Sequence, residues 1–258
     1  MTLQTLQVPY LAEELIERDA EALLAEFARV RGVAIQAPIS IEDIVEKHLK
    51  LRVEFDDLHR LLGVPRAGFG TQPDIFGAIW LETGEIVIDE SLDPELRPAI
   101  EGRYRFTLGH EGGHWRLHRQ LVEANSDQAS LFGDTRQPVV CRSSQSNERA
   151  ELQANLYASC VLMPRKLVKQ AWRDRFGNDH PRMLQRKDRT VVPCDVDEKI
   201  AVVVPSFDQV RDDEVLEHFA RPFAEQFMVS PIAMRIRLEA LDLLHREYPR
   251  QWSFLARS

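Results

Sequence analysis

Apolar positions recur at helical spacing from the start of the chain. Between Pro9 and about Gly32, Leu11, Leu15, Ala22, Leu23, Phe27 and Val30 are separated by acids, which predicts an amphipathic helix that stops at Gly32. Ser40 opens a second helix, with Asp43 in the place of a capping-box acid. Ile41, Ile44, Val45, His48 and Leu49 form its inner side, and His48 reads as a core or surface histidine. Leu51 to Phe55 alternates and reads as a strand. Gly63 to Asp74 is rich in glycine and proline and reads as a loop, in which Gly68-x-Gly70 is too short a signal for a phosphate cradle. Phe76 to Leu81 and Glu85 to Asp89, joined at Glu82-Thr83-Gly84, carry a hairpin signal. Pro94 to Ile100 leads into a further helix.

After His118 the periodicity is lost, and polar Asn125 to Asn147 is expected to be a long loop. Order resumes from Asn147 to Pro164, with Asn147 as N-cap and Pro164 as stop. Basic residues then gather: Lys166, Lys169, Arg173, Arg175, Arg182, Arg186, Lys187 and Arg189, read as a solvated face. Val191-Val192 and Ile200 to Val204 look like short strands, and the chain is helical from about Asp212.

Composition narrows the class. The 258 residues are 44% hydrophobic and 29% charged, as in soluble globular proteins, and the net charge of -8 argues against a wholly electrostatic nucleic-acid binder. Cys141, Cys160 and Cys194 are widely spaced, which fits neither a disulfide framework nor a zinc ribbon. With no signal-peptide pattern at Met1-Thr2-Leu3-Gln4 and no apolar run of membrane-spanning length, the expected location is the cytoplasm.

The chemistry concentrates in Arg103 to His118, which contains H-E-x-x-H. On a helix His110 and His114 lie one turn apart on one side, where two imidazoles can grip a zinc ion while Glu111 acts on water beside it. Gly109, Gly112 and Gly113 fall in the same helix, each costing about 1 kcal/mol against alanine, and imply that something approaches its backbone closely. Catalytic zinc needs three protein ligands. His118 lies about 12 Å along the axis from His110, too far to share the ion, and reads as a supporting or structural residue. The best third ligand is Glu151 on the next helix, with Glu148 as rival; Asn155, one turn beyond Glu151, is placed to hold a ligand histidine by its other nitrogen.

The runs R-Y-R-F-T-L-G-H-E-G-G-H-W-x-L-H and E-x-x-A-N-x-Y-A-x-x-x-L-M-P resemble those of the ImmA/IrrE metallopeptidases, zincin-type proteins of bacteria and mobile genetic elements. In that family the runs are close to F-T-x-A-H-E-L-G-H-x-x-L-H and E-x-x-A-N-x-F-A-x-x-L-L-M-P. The resemblance covers roughly Pro9 to Pro164 and implies zinc on His110, His114 and Glu151, with Glu111 catalytic. Gly109 replaces a common alanine, Gly112 a common leucine and Tyr157 a common phenylalanine; none of these removes a ligand. The implied fold is α+β. A zincin-like metallopeptidase core of helices and a small mixed or antiparallel sheet spans residues 1–175, and a mostly helical extension with short strands and a helix-turn-helix-like segment spans residues 176–258.

The expected reaction is peptide-bond hydrolysis, with Glu111 moving the proton and Tyr104, Tyr157 or His180 as candidate oxyanion donors. The substrate is expected to pair with an edge strand, taken as Glu85 to Asp89. The resemblance implies a protein substrate of the helix-turn-helix repressor or antitoxin kind. Competing readings are a transcriptional regulator that binds DNA, or a toxin–antitoxin or phage-related partner-binding protein with a non-proteolytic metal site. For the DNA reading, Phe223 to Leu238 has helix-turn-helix spacing, with Ala224, Val229 and Ala233 inward and Arg235 and Arg237 able to face DNA. A packing or substrate-docking segment is the preferred reading there.

Overall fold

The computed structural model describes residues 8–64, 75–129, 139–142, 148–185, 190–193, 202–203 and 211–246. It divides into two compact units, Met1–Leu162 and Met163–Ser258. No described helix is long and apolar enough to cross a membrane.

In the first unit, α1 (Glu13–Arg31) ends where Gly32 turns left-handed at φ 67°. Its buried face is Ile16, Ala20, Leu23, Leu24 and Phe27. The apolar stripe expected from sequence was rotated from this one, since Leu15 and Val30 are exposed. Positions 16, 20, 23, 24 and 27 keep the i, i+4, i+7 recurrence that one helix face requires. The segment opened by Ser40 continues as a π-helical turn, Asp43–His48, and buries Ile41, Ile44 and Val45 as expected.

β1 (Arg52–Asp56) is followed by α2 (Leu58–Leu62), a short helix capped by Asp57 that the sequence reading did not separate from its surroundings. β2 (Ile75–Trp80) and β3 (Glu85–Asp89) form the expected antiparallel hairpin. α3 (Glu101–Ala129) then runs for 29 residues, well past His118. Lost amphipathicity had suggested lost helix, but Leu121, Glu123, Ala124 and Gln128 favour helix locally. β4 (Val139–Arg142) lies inside the segment read as a loop, and α4 (Arg149–Leu162) follows; Asn147, the expected N-cap, lies outside the described residues.

The sheet order is β1-β3-β2-β4, with β1 parallel to β3 and the other pairs antiparallel. Glu85 to Asp89 is therefore an inner strand, paired on both sides, and cannot accept a substrate strand. Its residues are also largely buried, the mark of a central strand. The edges among the described residues are β1 and β4. The β2–β4 register shifts between Ile75 and Gly77, a bulge; Ile75, Ala78 and Trp80 of β2 pack with Leu58 and Val87 while Gly77 faces α3.

Polar ties fix the helices. Arg105 of α3 donates to Glu42 at 3.2 Å and to the carbonyl of Ile39. Arg116 of α3 grips Asp19 of α1 at 3.0 and 3.2 Å, and the hydroxyl of Tyr157 on α4 donates to the same carboxylate at 3.0 Å.

In the second unit, α5 (Arg165–Phe176) leads to β5 (Arg182–Gln185), β6 (Thr190–Pro193) and β7 (Val202–Val203). α6 (Asp212–Phe227), α7 (Pro231–Ala240) and β8 (Leu244–His245) complete it, and its sheet order is β7-β6-β5-β8. α5 groups with this unit. The core stacks Trp172 on Phe223 at 5.6 Å, and the guanidinium of Arg182 lies 3.8 Å over Phe176, so Arg182 leaves the solvated basic face read from sequence.

α6, a turn at Met228-Val229-Ser230 and α7 do form a helix, turn and helix, with Met228 left-handed at φ 52° and Ser230 capping α7. Arg235 and Arg237 do not face outward. Arg235 meets Glu239, Glu217 and Asp213 at 3.1, 3.4 and 3.6 Å, and buried Arg237 donates to the carbonyl of Met163 at 3.0 Å. Buried cations of this kind are retained by their partners, and neither guanidinium is available to phosphate.

Candidate metal centre

The site begins with the crossing of α3 and α4. A Cβ on Gly113 would stand 3.0 Å from Cβ of Tyr157 and 3.3 Å from the backbone of Ala154, so only glycine lets α4 come this close. On Gly109 and Gly112 the nearest atoms would be 3.5 Å away, ordinary contact. Of the three glycines, Gly113 alone is demanded by close approach.

That approach carries Glu151, in the first turn of α4, to the histidines. His110 Nε2 and His114 Nε2 are 2.9 Å apart, and the Glu151 oxygens lie 3.2 Å from His114 and 3.4 Å from His110. One ligand atom from each residue falls within 4.8 Å of the others, and all three residues are buried. Glu148, the rival, is outside this group.

The outer nitrogens are held as well. His110 Nδ1 donates to Asn155 Oδ1 at 3.0 Å, as the spacing of Asn155 from Glu151 had suggested. His118 lies beside His114, Nδ1 to Nδ1 at 3.0 Å, and its own Nε2 meets Gln153 Oε1 at 2.9 Å. His118 thus touches His114 and lies outside the His110, His114 and Glu151 cluster. Gln153 was missed by sequence reasoning. Nothing in its spacing distinguishes it from a surface amide; only its 4% exposure does.

Burial and neighbouring groups set the protonation states. Burial, with His110 alongside, lowers the pKa of His114 to about 4, so its ring is neutral at physiological pH. Burial pushes the Glu151 carboxyl up, but His110 and His114 overrule it and hold the group well below the usual carboxylate range. Neutral imidazole and ionised carboxylate are the ligand forms. Glu151 Oε2 has no hydrogen-bond partner. Two ring nitrogens and a carboxylate, buried within 4.8 Å of one another, match the donor set of a three-ligand zinc site, so the residues fit the ion.

Glu111 is fully buried and neither carboxyl oxygen has a partner. Burial, then the charge of Glu151, raises its pKa well above the ordinary value. Its carboxyl faces β2, where a Cβ on Gly77 would stand 2.5 Å from Oε1 and 2.7 Å from Cγ2 of Thr107. Gly77 thus leaves the space that the carboxyl occupies. Neither Gly77 nor the bulge beside it was legible as part of the site.

The three candidate oxyanion donors are placed differently. Tyr157 spends its hydroxyl on Asp19, and burial followed by that carboxylate raises its pKa. Tyr104 packs on Phe55 at 5.6 Å, and burial followed by Glu42 pushes its pKa up to about 12. His180 is exposed and belongs to the second unit.

Comparison with known proteins agrees with the motifs. The peptidase M78 family profile, described as the IrrE N-terminal-like domain, matches residues 80–196. No curated protein matches the sequence. Among solved structures, a Mycobacterium tuberculosis transcriptional regulator is similar at 14% identity and a TM-score of 0.38, over 92% of this chain and 48% of that one. The chain thus spans about half the length of that protein. Residues 80–196, which hold H-E-x-x-H, Glu151 and Asn155, are thus similar to the IrrE N-terminal-like domain of the M78 peptidases.

Proposed function

We propose that the protein is a zinc-dependent metalloendopeptidase in which His110, His114 and Glu151 hold the ion and Glu111 moves the proton. The observation that carries this reading is the buried meeting of two imidazole nitrogens with the Glu151 carboxylate, beside a second buried carboxyl that has no hydrogen-bond partner. A structural metal site would have no use for that second carboxyl, which costs stability unless it has a task.

Zinc held there would supply Lewis acidity, bringing the pKa of a water to about 7 and polarising a peptide carbonyl. Glu111 takes the proton of the attacking water and delivers it to the departing amine. Its raised pKa suits a group that must hold a proton between the two events. Asn155 and His118 keep the ligand rings turned inward. The edge strand β4, next to Gly77 and hence to Glu111, is the strand against which an extended peptide pairs.

The substrate class proposed is a regulatory protein, a helix-turn-helix repressor or antitoxin, on the strength of the family resemblance. The test uses Glu111→Gln with zinc and such a candidate protein, followed by mass spectrometry. The variant keeps its zinc and loses cleavage; undiminished cleavage removes Glu111 from the role, and an intact candidate with wild-type protein removes that substrate.

A further inference from the structure

The hydrogen bonds around His114 form a chain whose direction is fixed from its far end. The Pro9 carbonyl can only accept, and it takes Gln153 Nε2 at 2.9 Å. That turns Gln153 Oε1 toward His118 Nε2, 2.9 Å away. An amide oxygen also only accepts, so His118 carries its proton on Nε2. A neutral His118 then offers a bare Nδ1 to His114 Nδ1 at 3.0 Å, and His114 must donate there. The remaining nitrogen of His114, Nε2, is left bare, and it is the atom that faces His110 and Glu151. His114, His118 and Gln153 are all buried, and the two links between them are closed to solvent.

We infer that Gln153 is a positioning residue that selects, through His118, which nitrogen of His114 is open to the ion, with its own amide oriented by the Pro9 carbonyl. His110 is oriented directly by Asn155, whereas His114 depends on a relay anchored in the segment before α1. Arg149 docks the same segment by donating to the Val8 carbonyl at 3.2 Å. The inference rests on the proposed reading of the cluster as a metal centre.

The test compares wild type with Gln153→Met and Gln153→Glu by zinc competition against a chelator and by nitrogen-15 correlation spectra of the metal-free histidines. Met removes the acceptor at similar length, freeing His118 to protonate Nδ1 and forcing the His114 proton onto Nε2. Zinc affinity falls about 10- to 100-fold. Glu, protonated on the oxygen that meets the Pro9 carbonyl, donates there, keeps an acceptor for His118 and retains affinity close to wild type, which a purely packing role for the amide does not predict. Wild-type spectra show His118 protonated at Nε2 and His114 at Nδ1. Unchanged affinity in Gln153→Met, equal loss in both variants, or His118 protonated at Nδ1 in wild type would each overturn the relay. Wild-type protein that shows these tautomers yet takes no zinc would instead sink the metal reading and leave the relay standing.

Discussion

Alanine at each of the three glycines of α3 should separate close approach from mere tolerance. Each substitution gains about 1 kcal/mol of helix propensity. At Gly109 the new Cβ meets Ala158 Cβ at 3.5 Å and Leu162 Cδ1 at 3.6 Å, and at Gly112 it meets only Val45 Cγ2 at 3.5 Å. Nothing there must move, so Gly109→Ala and Gly112→Ala keep the gain and raise Tm by about 2–4 °C. At Gly113 the Cβ meets Tyr157 Cβ at 3.0 Å and the Ala154 Cα and O at 3.3 Å. Two of these three atoms are backbone, so α3 and α4 must part by a few tenths of an ångström. Overpacking of this kind costs about 1–3 kcal/mol and outweighs the propensity gain, for a net loss of about 1 kcal/mol. Because α4 carries Glu151, the same displacement should weaken zinc binding, by about tenfold for about 1.4 kcal/mol. Chemical denaturation of the metal-free proteins and chelator competition read the two effects. A Gly113→Ala protein as stable as the other two, with wild-type zinc affinity, would refute the claim that this crossing sets the ligand geometry.

Glu111→Gln should also change the pH dependence of metal-free stability. The folded pKa of Glu111 is raised, so its contribution is present below the ordinary carboxylate range and is lost as pH rises through the raised value. The variant therefore gains stability relative to wild type as pH rises from acid to neutral and alkaline, with the difference vanishing in acid; parallel denaturation curves across pH would contradict this. Tyr157→Phe, which restores the residue common in the family, should cost about 1 kcal/mol through the lost Asp19 bond and leave peptide cleavage unchanged. A loss of cleavage beyond tenfold with zinc retained would return that hydroxyl to the reaction. Arg235→Ala takes the cation from Glu217, while Arg246 keeps Asp213 and Glu239, and should destabilise the protein by no more than about 1 kcal/mol in urea denaturation; no change would mean the Arg235 ion pairs are idle.

The proximity of the candidate residues was legible because a helix converts sequence spacing into position. His110 and His114 could only share a side, and Asn155 could only follow Glu151 by one turn. The resemblance of both runs to one family joined the two helices before any contact was known. What the sequence could not convey was set by pairing and long-range packing. Glu85 to Asp89 has the composition of a strand, but whether it is an edge depends on β1 lying parallel beside it. β4 is short and sits among polar residues, so only its pairing with β2 marks it as a strand. Arg235 and Arg237 lie on a helix that resembles a recognition helix, yet carboxylates and a carbonyl elsewhere in the second unit claim both. Gly77 reads as a strand glycine until Glu111 is found against it.

The central claim is that Glu151 closes a three-ligand centre with His110 and His114. Metal content of the purified protein, measured beside Glu151→Ala, tests it most directly. The account predicts one zinc per wild-type chain and loss of tightly held zinc from a folded variant. Wild-type protein that takes up no zinc, or a variant that holds it as tightly as wild type, would contradict it.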